Sequence, residues 1–140
     1  THQTAAPLAA HLGMTPVQDP DLHEVHLGEW DGGLYRIKAA EGDPIYRKVL
    51  QTQDWSAIPG AETREAFFGR VERGLLRIAS AHSDRRVAVF VHGGVIGAAM
   101  AIASKSEPFA FLGAANGSIS RLVIHKGRMI VRGFNDTSHL

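Results

Sequence analysis

The sequence predicts an α/β fold, and two observations support that prediction. The stretch from Val87 to Val91 is continuously apolar and rich in β-branched side chains, as strands are when helices cover both faces of a parallel sheet. Directly after Gly93-Gly94 the apolar pattern becomes helical and continues from Val95 to Ala103. A strand, a glycine turn and a helix in this order are typical of α/β domains.

Size and composition indicate one domain over residues 1–140, since 44% of the side chains are hydrophobic and no repeat interrupts the chain. A net charge of +1 with both signs interspersed offers no basic face, so we expect no nucleic-acid partner. No apolar stretch approaches the roughly 20 residues of a membrane helix, so no membrane partner is expected either. The absence of cysteine suits a reducing compartment, and we expect a cytoplasmic protein.

The first half of the chain is predicted to be mainly helical. A first helix should end at Gly13, because glycine suits the position after a helix, and a short strand should follow from Pro16 to Asp19. Two helical patterns run from Leu34 to Ala40 and from Ile45 to Gln51. The breaker Gly42-Asp43-Pro44 separates them.

The longest predicted helix opens at Glu62 and carries an apolar stripe at spacings of three and four: Phe67, Val71, Leu75 and Ile78. Its charged side chains are predicted to face water: Arg70, Glu72, Arg73 and Arg77. Near the end of the chain, two strands are expected from Ser118 to Ile124 and from Met129 to Gly133. The turn residues His125-Lys126-Gly127 should join them as a hairpin.

His92 stands where such folds bind ligands. In open α/β sheets, ligands lie beyond the carboxyl ends of the strands, next to the first turn of the following helix. The unpaired N–H groups of that turn and the two glycines after His92 favour an anion such as a phosphoryl group. An imidazole there can donate to the anion, transfer a proton or attack as a nucleophile. The alternative is a histidine that only caps the helix.

A second candidate region is the glycine-punctuated loop "DLHEVHLGEWDGG", from Asp21 to Gly33. Loops of this kind often carry functional side chains. A carboxyl group beside a phosphate ester can protonate the leaving oxygen when burial or neighbouring negative charge raises its pKa. Within "LHEVHLGEWDG" the loop offers three candidate carboxyl groups: Glu24, Glu29 and Asp31.

Two other interpretations of this loop remain open. The loop is also compatible with a solvated connection whose Val25 and Leu27 pack inward, and one acid can be catalytic while the rest is scaffold. His23 and His26 beside Glu24 invite a metal site, but the pattern lacks a third ligand at typical spacing. We therefore expect no metal.

Five segments together resemble the histidine phosphatase superfamily, in its phosphoglycerate-mutase-like branch. They follow the family's order nearly end to end: "QTAAPLAAHLG", "DLHEVHLGEWDG", "PGAETREAFFGRV", "VFVHGG" and "NDTSHL". The resemblance implies a three-layer α/β/α sandwich with a mostly parallel sheet. It also implies phosphoryl transfer through a phosphohistidine, with no metal ion or other cofactor.

Site residues follow from the resemblance position by position. His92 matches the family's second active-site histidine, Glu24 matches the proton donor to the leaving group, and Gly93 would lend a backbone N–H to the phosphoryl oxygens. Thr63 ends the segment Gly60-Ala61-Glu62-Thr63, where the family commonly has Gly-Gly-Glu-Ser, and it is a candidate phosphate contact.

The sequence departs from the family at its nucleophile, a histidine in an Arg-His-Gly motif, because no such motif occurs here. We therefore expect the domain to lack its N-terminal strand and helix, with the nucleophile upstream of Thr1. The predicted function is a phosphatase for a small phosphomonoester, and a homo-oligomer is compatible with the sequence. Alternatives are phosphoglycerate-mutase-type transfer and a non-catalytic phosphate-binding module. The short region between Glu29 and Glu62 favours the phosphatase over the mutase.

Overall fold

Five helices and one hairpin form the computed structural model, which describes all residues from 1 to 140. Three short 3₁₀ turns lie between them, at Pro20–Leu22, Gly28–Trp30 and Trp55–Ala57. The helices are α1 (His2–Leu12), α2 (Leu34–Glu41), α3 (Pro44–Thr52), α4 (Arg64–Ala81) and α5 (Gly93–Ser104), and the strands are β1 (Ile119–His125) and β2 (Arg128–Asp136).

Local chemistry sets the helix ends. Gly13 follows α1 in the left-handed conformation, with φ of 62°, which confirms the predicted end of that helix. The Asp43 carboxylate accepts a 2.8 Å hydrogen bond from a backbone N–H in the first turn of α3. The Thr63 hydroxyl does the same for α4, accepting from the N–H of Ala66 at 3.2 Å. Helix α4 therefore begins at Arg64, two residues later than predicted.

The predicted hairpin is confirmed. Strands β1 and β2 pair in antiparallel fashion, and His125 lies opposite Arg128 at the turn. Lys126 and Gly127 connect them with positive φ at both positions, 49° and 73°. A two-residue loop of this kind matches the right-handed twist of paired strands.

Helix α5 lies at the centre of the core. It is apolar on all sides and most of it is buried, as expected for a helix surrounded by protein. Helix α4 and both strands of the hairpin pack against it. No helix is both long and apolar enough to cross a membrane. The main core cluster contains Leu22, Val25, Trp30, Val49, Trp55, Ile58, Phe67, Val71, Val95, Ala98 and Ala99.

The α/β class is borne out, but two predicted strands are wrong for this structure. Residues 86–91 form no backbone hydrogen bond, and Val87, Val89 and Phe90 are exposed rather than covered on both faces. A strand needs a neighbour that completes its ladder of N–H and C=O groups. No segment of residues 1–140 pairs with this one, nor with Pro16–Asp19. The sheet is a two-stranded antiparallel hairpin, not the mostly parallel sheet of the expected three-layer sandwich.

Candidate active site

His92 stands immediately before α5, with its side chain exposed. Its backbone C=O accepts the first helical hydrogen bond, from Ile96 N–H at 3.1 Å, but its imidazole makes no capping bond. The ring is therefore available to a ligand. A purely capping histidine, the alternative left open by the sequence, would use its side chain on the helix instead.

The acidic loop reaches the same helix end through Glu24. Its Oε2 accepts a hydrogen bond from Gly94 N–H at 3.1 Å, and its Oε1 accepts one from Val25 N–H at 3.0 Å. A Cβ built on Gly94 would collide with Glu24 Oε1, so the carboxylate can approach only because residue 94 is glycine. The structure thus brings Glu24 and His92 to one helix N-terminus, although they lie far apart in the sequence.

Both residues line an open cleft of about 550 Å³. Gly93, the first residue of α5, leaves open space where a side chain would stand and donates its N–H to no protein group. Unpaired N–H groups at a helix N-terminus bind anions. The other walls of the cleft are partly apolar, and they include Leu27, Trp30, Tyr35, Trp55 and Leu112.

A mostly buried ion pair lies behind the acidic loop. Arg70 Nε and Nη2 donate to the two carboxylate oxygens of Glu62, each at 2.8 Å, and the two side chains are 14% and 16% exposed. Burial alone would raise the pKa of Glu62, but the hydrogen bonds and charge of Arg70 outweigh it and hold the pKa below its usual range. Glu62 is therefore ionised and neutralises Arg70.

The remaining polar groups of the loop largely bond to one another. His26 Nδ1 accepts from Gly28 N–H at 3.1 Å, and its Nε2 lies 3.3 Å from Asp31 Oδ2. The other oxygen of Asp31 accepts from Leu27 N–H at 3.0 Å. A Cβ on Gly28 would collide with the backbone of Pro59 and Gly60. Gly28 is therefore a second glycine that permits close packing, here of the acidic loop against the segment at Pro59 and Gly60.

Thr63 is placed apart from the other predicted site residues. Its side chain is exposed, its hydroxyl caps α4, and it does not line the cleft that contains Glu24 and His92. Its assignment as a phosphate contact stays a prediction. Glu29, the second acid of the loop, is likewise exposed and outside the cleft.

The prediction that Arg70 faces water is wrong. The side chain was expected to face water with its charged neighbours on α4, but it is among the least exposed cations of the chain. Its position three residues after Phe67 places Arg70 beside the apolar stripe. The Arg70 guanidinium lies 4.7 Å from the centre of the Phe67 ring. The spacing from Phe67 is the one signal in the sequence that hints at burial.

Taken together, a histidine, an acid and unpaired N–H groups lie at one helix N-terminus of an α/β protein, an arrangement that can bind an anion. The model of the histidine phosphatase superfamily (branch 1) matches residues 1–137, and the chain belongs to that family. The resemblance seen in the five segments is confirmed.

A curated relative is similar to this chain in sequence. The chain is 32% identical over 127 residues to a metal-independent phosphoserine phosphatase of Arabidopsis thaliana, covering 89% of this chain and 52% of that protein. It thus spans about half the length of that curated relative.

Two solved structures share the fold. Bacillus stearothermophilus YhfR superposes with a TM-score of 0.81 at 22% identity, covering 98% of this chain and 69% of the other. The alpha-ribazole phosphatase of Shigella flexneri superposes with a TM-score of 0.71 at 22% identity, covering 95% and 67%. At these identities the two structures support the fold alone.

Proposed function

We propose that the protein containing these residues is a phosphomonoester phosphatase that works through a phosphohistidine. In this proposal Glu24 is the proton donor, His92 and Gly93 bind the phosphoryl group, and the nucleophilic histidine is contributed from outside residues 1–140. The observation that carries the proposal is the hydrogen bond from Gly94 N–H to Glu24, because it holds an acid beside the helix end that would bind the phosphate.

The proposed reaction has two steps. A histidine nitrogen attacks phosphorus while the ester P–O bond breaks, and Glu24 gives its proton to the departing alcohol oxygen. A water oxygen then attacks the phosphorus of the phosphohistidine while the P–N bond breaks, Glu24 takes the water's proton, and inorganic phosphate leaves. His92 and the Gly93 N–H donate to the phosphoryl oxygens throughout, and stabilise the charge that builds on them.

A small organic phosphate ester is the proposed substrate. The cleft of about 550 Å³ is large enough for a metabolite, and its partly apolar walls can contact the part of the ester that leaves. By its name, one relative acts on phosphoserine, and that compound is a phosphomonoester.

The proposal extends to the fold of the whole protein and to where it acts. We place residues 87–91 in a strand of a mostly parallel sheet within a three-layer sandwich, and the protein in the cytoplasm. Slow amide hydrogen exchange at Val87, Val89 and Val91 in the whole protein would support the strand. Exchange at the rate of unprotected amides would contradict it.

Intact-mass spectrometry of the whole protein tests the function. The protein is mixed with p-nitrophenyl phosphate and quenched in alkali, in which phosphohistidine survives. We expect a mass increment of one phosphoryl group that acid treatment removes, together with release of inorganic phosphate. Transfer to an added alcohol without net release of phosphate would instead indicate a mutase. An unchanged mass with no turnover of any ester would leave only a non-catalytic module.

A further inference from the structure

Every N–H of the Arg70 guanidinium has a partner. Two of its five donors form the paired bonds to Glu62 already described. The other three reach backbone carbonyls of the acidic loop: Asp21 O at 2.9 Å, His23 O at 2.7 Å and Glu24 O at 2.9 Å. A single side chain of α4 therefore joins the carboxylate of Glu62 to three carbonyls within four residues.

The loop segment that carries Glu24 has few other supports. Residues 23–27 form neither helix nor strand, so the usual ladder of backbone hydrogen bonds does not hold them. Glu62 adds two contacts at His26, further along the loop. Its N–H donates to His26 O at 2.8 Å, and its carboxylate accepts from His26 N–H at 3.4 Å. Apart from bonds to neighbouring residues of the loop and the bond from Gly94 to Glu24, the polar contacts of this segment are made by Arg70 and Glu62.

We propose that Arg70, oriented by Glu62, is the positioning residue that holds Glu24 against the N-terminus of α5. Arg70 binds the backbone carbonyl of Glu24 itself, as one of its three carbonyl partners. The backbone from which the Glu24 carboxylate projects is therefore held directly by Arg70. Only a planar fork with five donors can meet all these acceptors, and a lysine, with three donors on a flexible stem, cannot. The catalytic consequence rests on the proposed function, but the positioning does not.

Nuclear magnetic resonance tests the positioning without any assay of activity. In the ¹⁵N-labelled whole protein, the Gly94 amide signal reports the hydrogen bond that this N–H donates to the Glu24 carboxylate. The variant Glu24→Gln should shift the signal, because a neutral amide oxygen is a weaker acceptor than a carboxylate. The variant Arg70→Lys should shift it in the same direction, because the carboxylate no longer stays within hydrogen-bond distance. An unchanged Gly94 amide signal in Arg70→Lys would overturn the proposal.

Arg73→Lys is the matched control. Arg73 lies one turn further along α4, is mostly exposed, and makes a single 3.2 Å contact to Asp21. This variant should keep the Gly94 amide signal of the wild type. If Arg73→Lys shifted that signal as much as Arg70→Lys does, the effect would come from the general charge of α4, and the specific role of Arg70 would be rejected.

Kinetics tests the catalytic consequence. Arg70→Lys should lower kcat for an alkyl phosphate about 10²-fold, as small misplacements of a catalytic group do, and much less for p-nitrophenyl phosphate. Combined with Glu24→Gln it should cost little more than Glu24→Gln alone. Equal losses on both esters, or fully additive losses, would contradict the role. If the wild type hydrolyses no ester, the proposed function fails while the Gly94 amide signal still decides the positioning.

A second variant covers the case in which Arg70→Lys does not fold. Glu62→Gln leaves the three carbonyl contacts of Arg70 in place but removes the charged partner that orients its fork. The same two readouts apply, with effects in the same direction and smaller. A folded Glu62→Gln protein with the wild-type Gly94 amide signal and wild-type leaving-group dependence would overturn the role of Glu62.

Discussion

Glu24 accepts a 3.1 Å hydrogen bond from the backbone N–H of Gly94, across 70 residues of sequence. The contact joins an irregular acidic loop to the first turn of the most deeply buried helix. It uses one of the N–H groups that a helix leaves unpaired at its start, while the Gly93 N–H beside it has no acceptor in the protein. One helix end therefore holds both the acid and a donor for an anion.

The first prediction concerns the space that Gly94 leaves for Glu24. Gly94→Ala should displace the carboxylate, because the added methyl group would collide with Oε1. We expect hydrolysis of an alkyl phosphate by the whole protein to fall about 10²-fold. Helix α5 should not be weakened intrinsically, since alanine favours helix more than glycine does. Steady-state kinetics and thermal unfolding of the variant measure the two effects.

Gly69→Ala is the control for that substitution. Gly69 lies within α4, away from the cleft, and the nearest atom to an added Cβ is Arg73 Nη1 at 3.8 Å. This variant should keep wild-type turnover and gain about 0.5–1 kcal/mol of stability. Full activity in Gly94→Ala would contradict the importance of the Glu24 contact.

The second prediction separates the proton-donor role of Glu24 from a structural one. Glu24→Gln preserves shape but removes the proton, so turnover of an alkyl phosphate should fall by about 10²–10⁴-fold. p-Nitrophenyl phosphate should suffer far less, because its leaving group departs without protonation. The measurement is kcat/KM for both esters. Equal losses would argue against proton donation.

The third prediction concerns His92. Its side chain is exposed and bonds to no protein group, so His92→Ala should leave the free energy of unfolding within about 0.5 kcal/mol of the wild type. Turnover should nevertheless drop severely, because the phosphoryl group loses a donor. Chemical denaturation paired with an ester-hydrolysis assay checks both statements. Unchanged turnover would remove His92 from the site.

Local patterns in the sequence were sufficient for most of the fold. Stripes and breakers located the helices, and Lys126-Gly127 located the hairpin, because these features act within a few residues. The segment from Val87 to Val91 forms no strand in this chain because a strand depends on a partner, and none pairs with it here.

The candidate site was likewise predicted only in part. His92 was predicted from its place before a glycine turn and a helix, and Glu24 was selected among the loop acids by the family resemblance. The contact to Gly94 was not predicted, since nothing local encodes a contact across 70 residues. Arg70 was assigned to solvent because charged side chains on amphipathic helices usually face water. The loop carbonyls that Arg70 binds are 46 to 49 residues away. Every residue has a backbone carbonyl, so such acceptors cannot be recognised from the sequence.

The fourth prediction concerns the leaving part of the substrate. Arg36 of α2 lines the cleft, is exposed, and makes no ion pair within the protein. Arg36→Gln should raise KM for an ester with a second anionic group, such as phosphoserine, by at most about fivefold, the scale of an exposed ion pair. The KM for p-nitrophenyl phosphate should not change. Arg36→Lys keeps the charge and should behave as the wild type, and a KM increase shared by both esters would contradict the assignment.

The last prediction is a loss of stability in acid that comes from Asp136, at the end of β2. Hydrogen bonds from the hydroxyl and N–H of Ser138 and from Arg121 hold the pKa of Asp136 down to about 2, from an ordinary value of 3.8. Between those values the unfolded chain binds more protons than the folded one, so stability rises with pH there. The contribution of Asp136 should therefore be complete above about pH 4 and vanish as pH falls towards 2.

Urea unfolding of the wild type and Asp136→Asn at several pH values between 2 and 6 measures this contribution directly. The difference in unfolding free energy should be constant at the upper end and shrink steadily below pH 4, because protonated aspartic acid and asparagine bear no charge. Ser138→Ala, which removes the hydroxyl donor but keeps the N–H, should show a smaller difference with the same pH dependence. A difference that persists unchanged down to pH 2 would mean that the Asp136 carboxylate is not stabilised by these contacts.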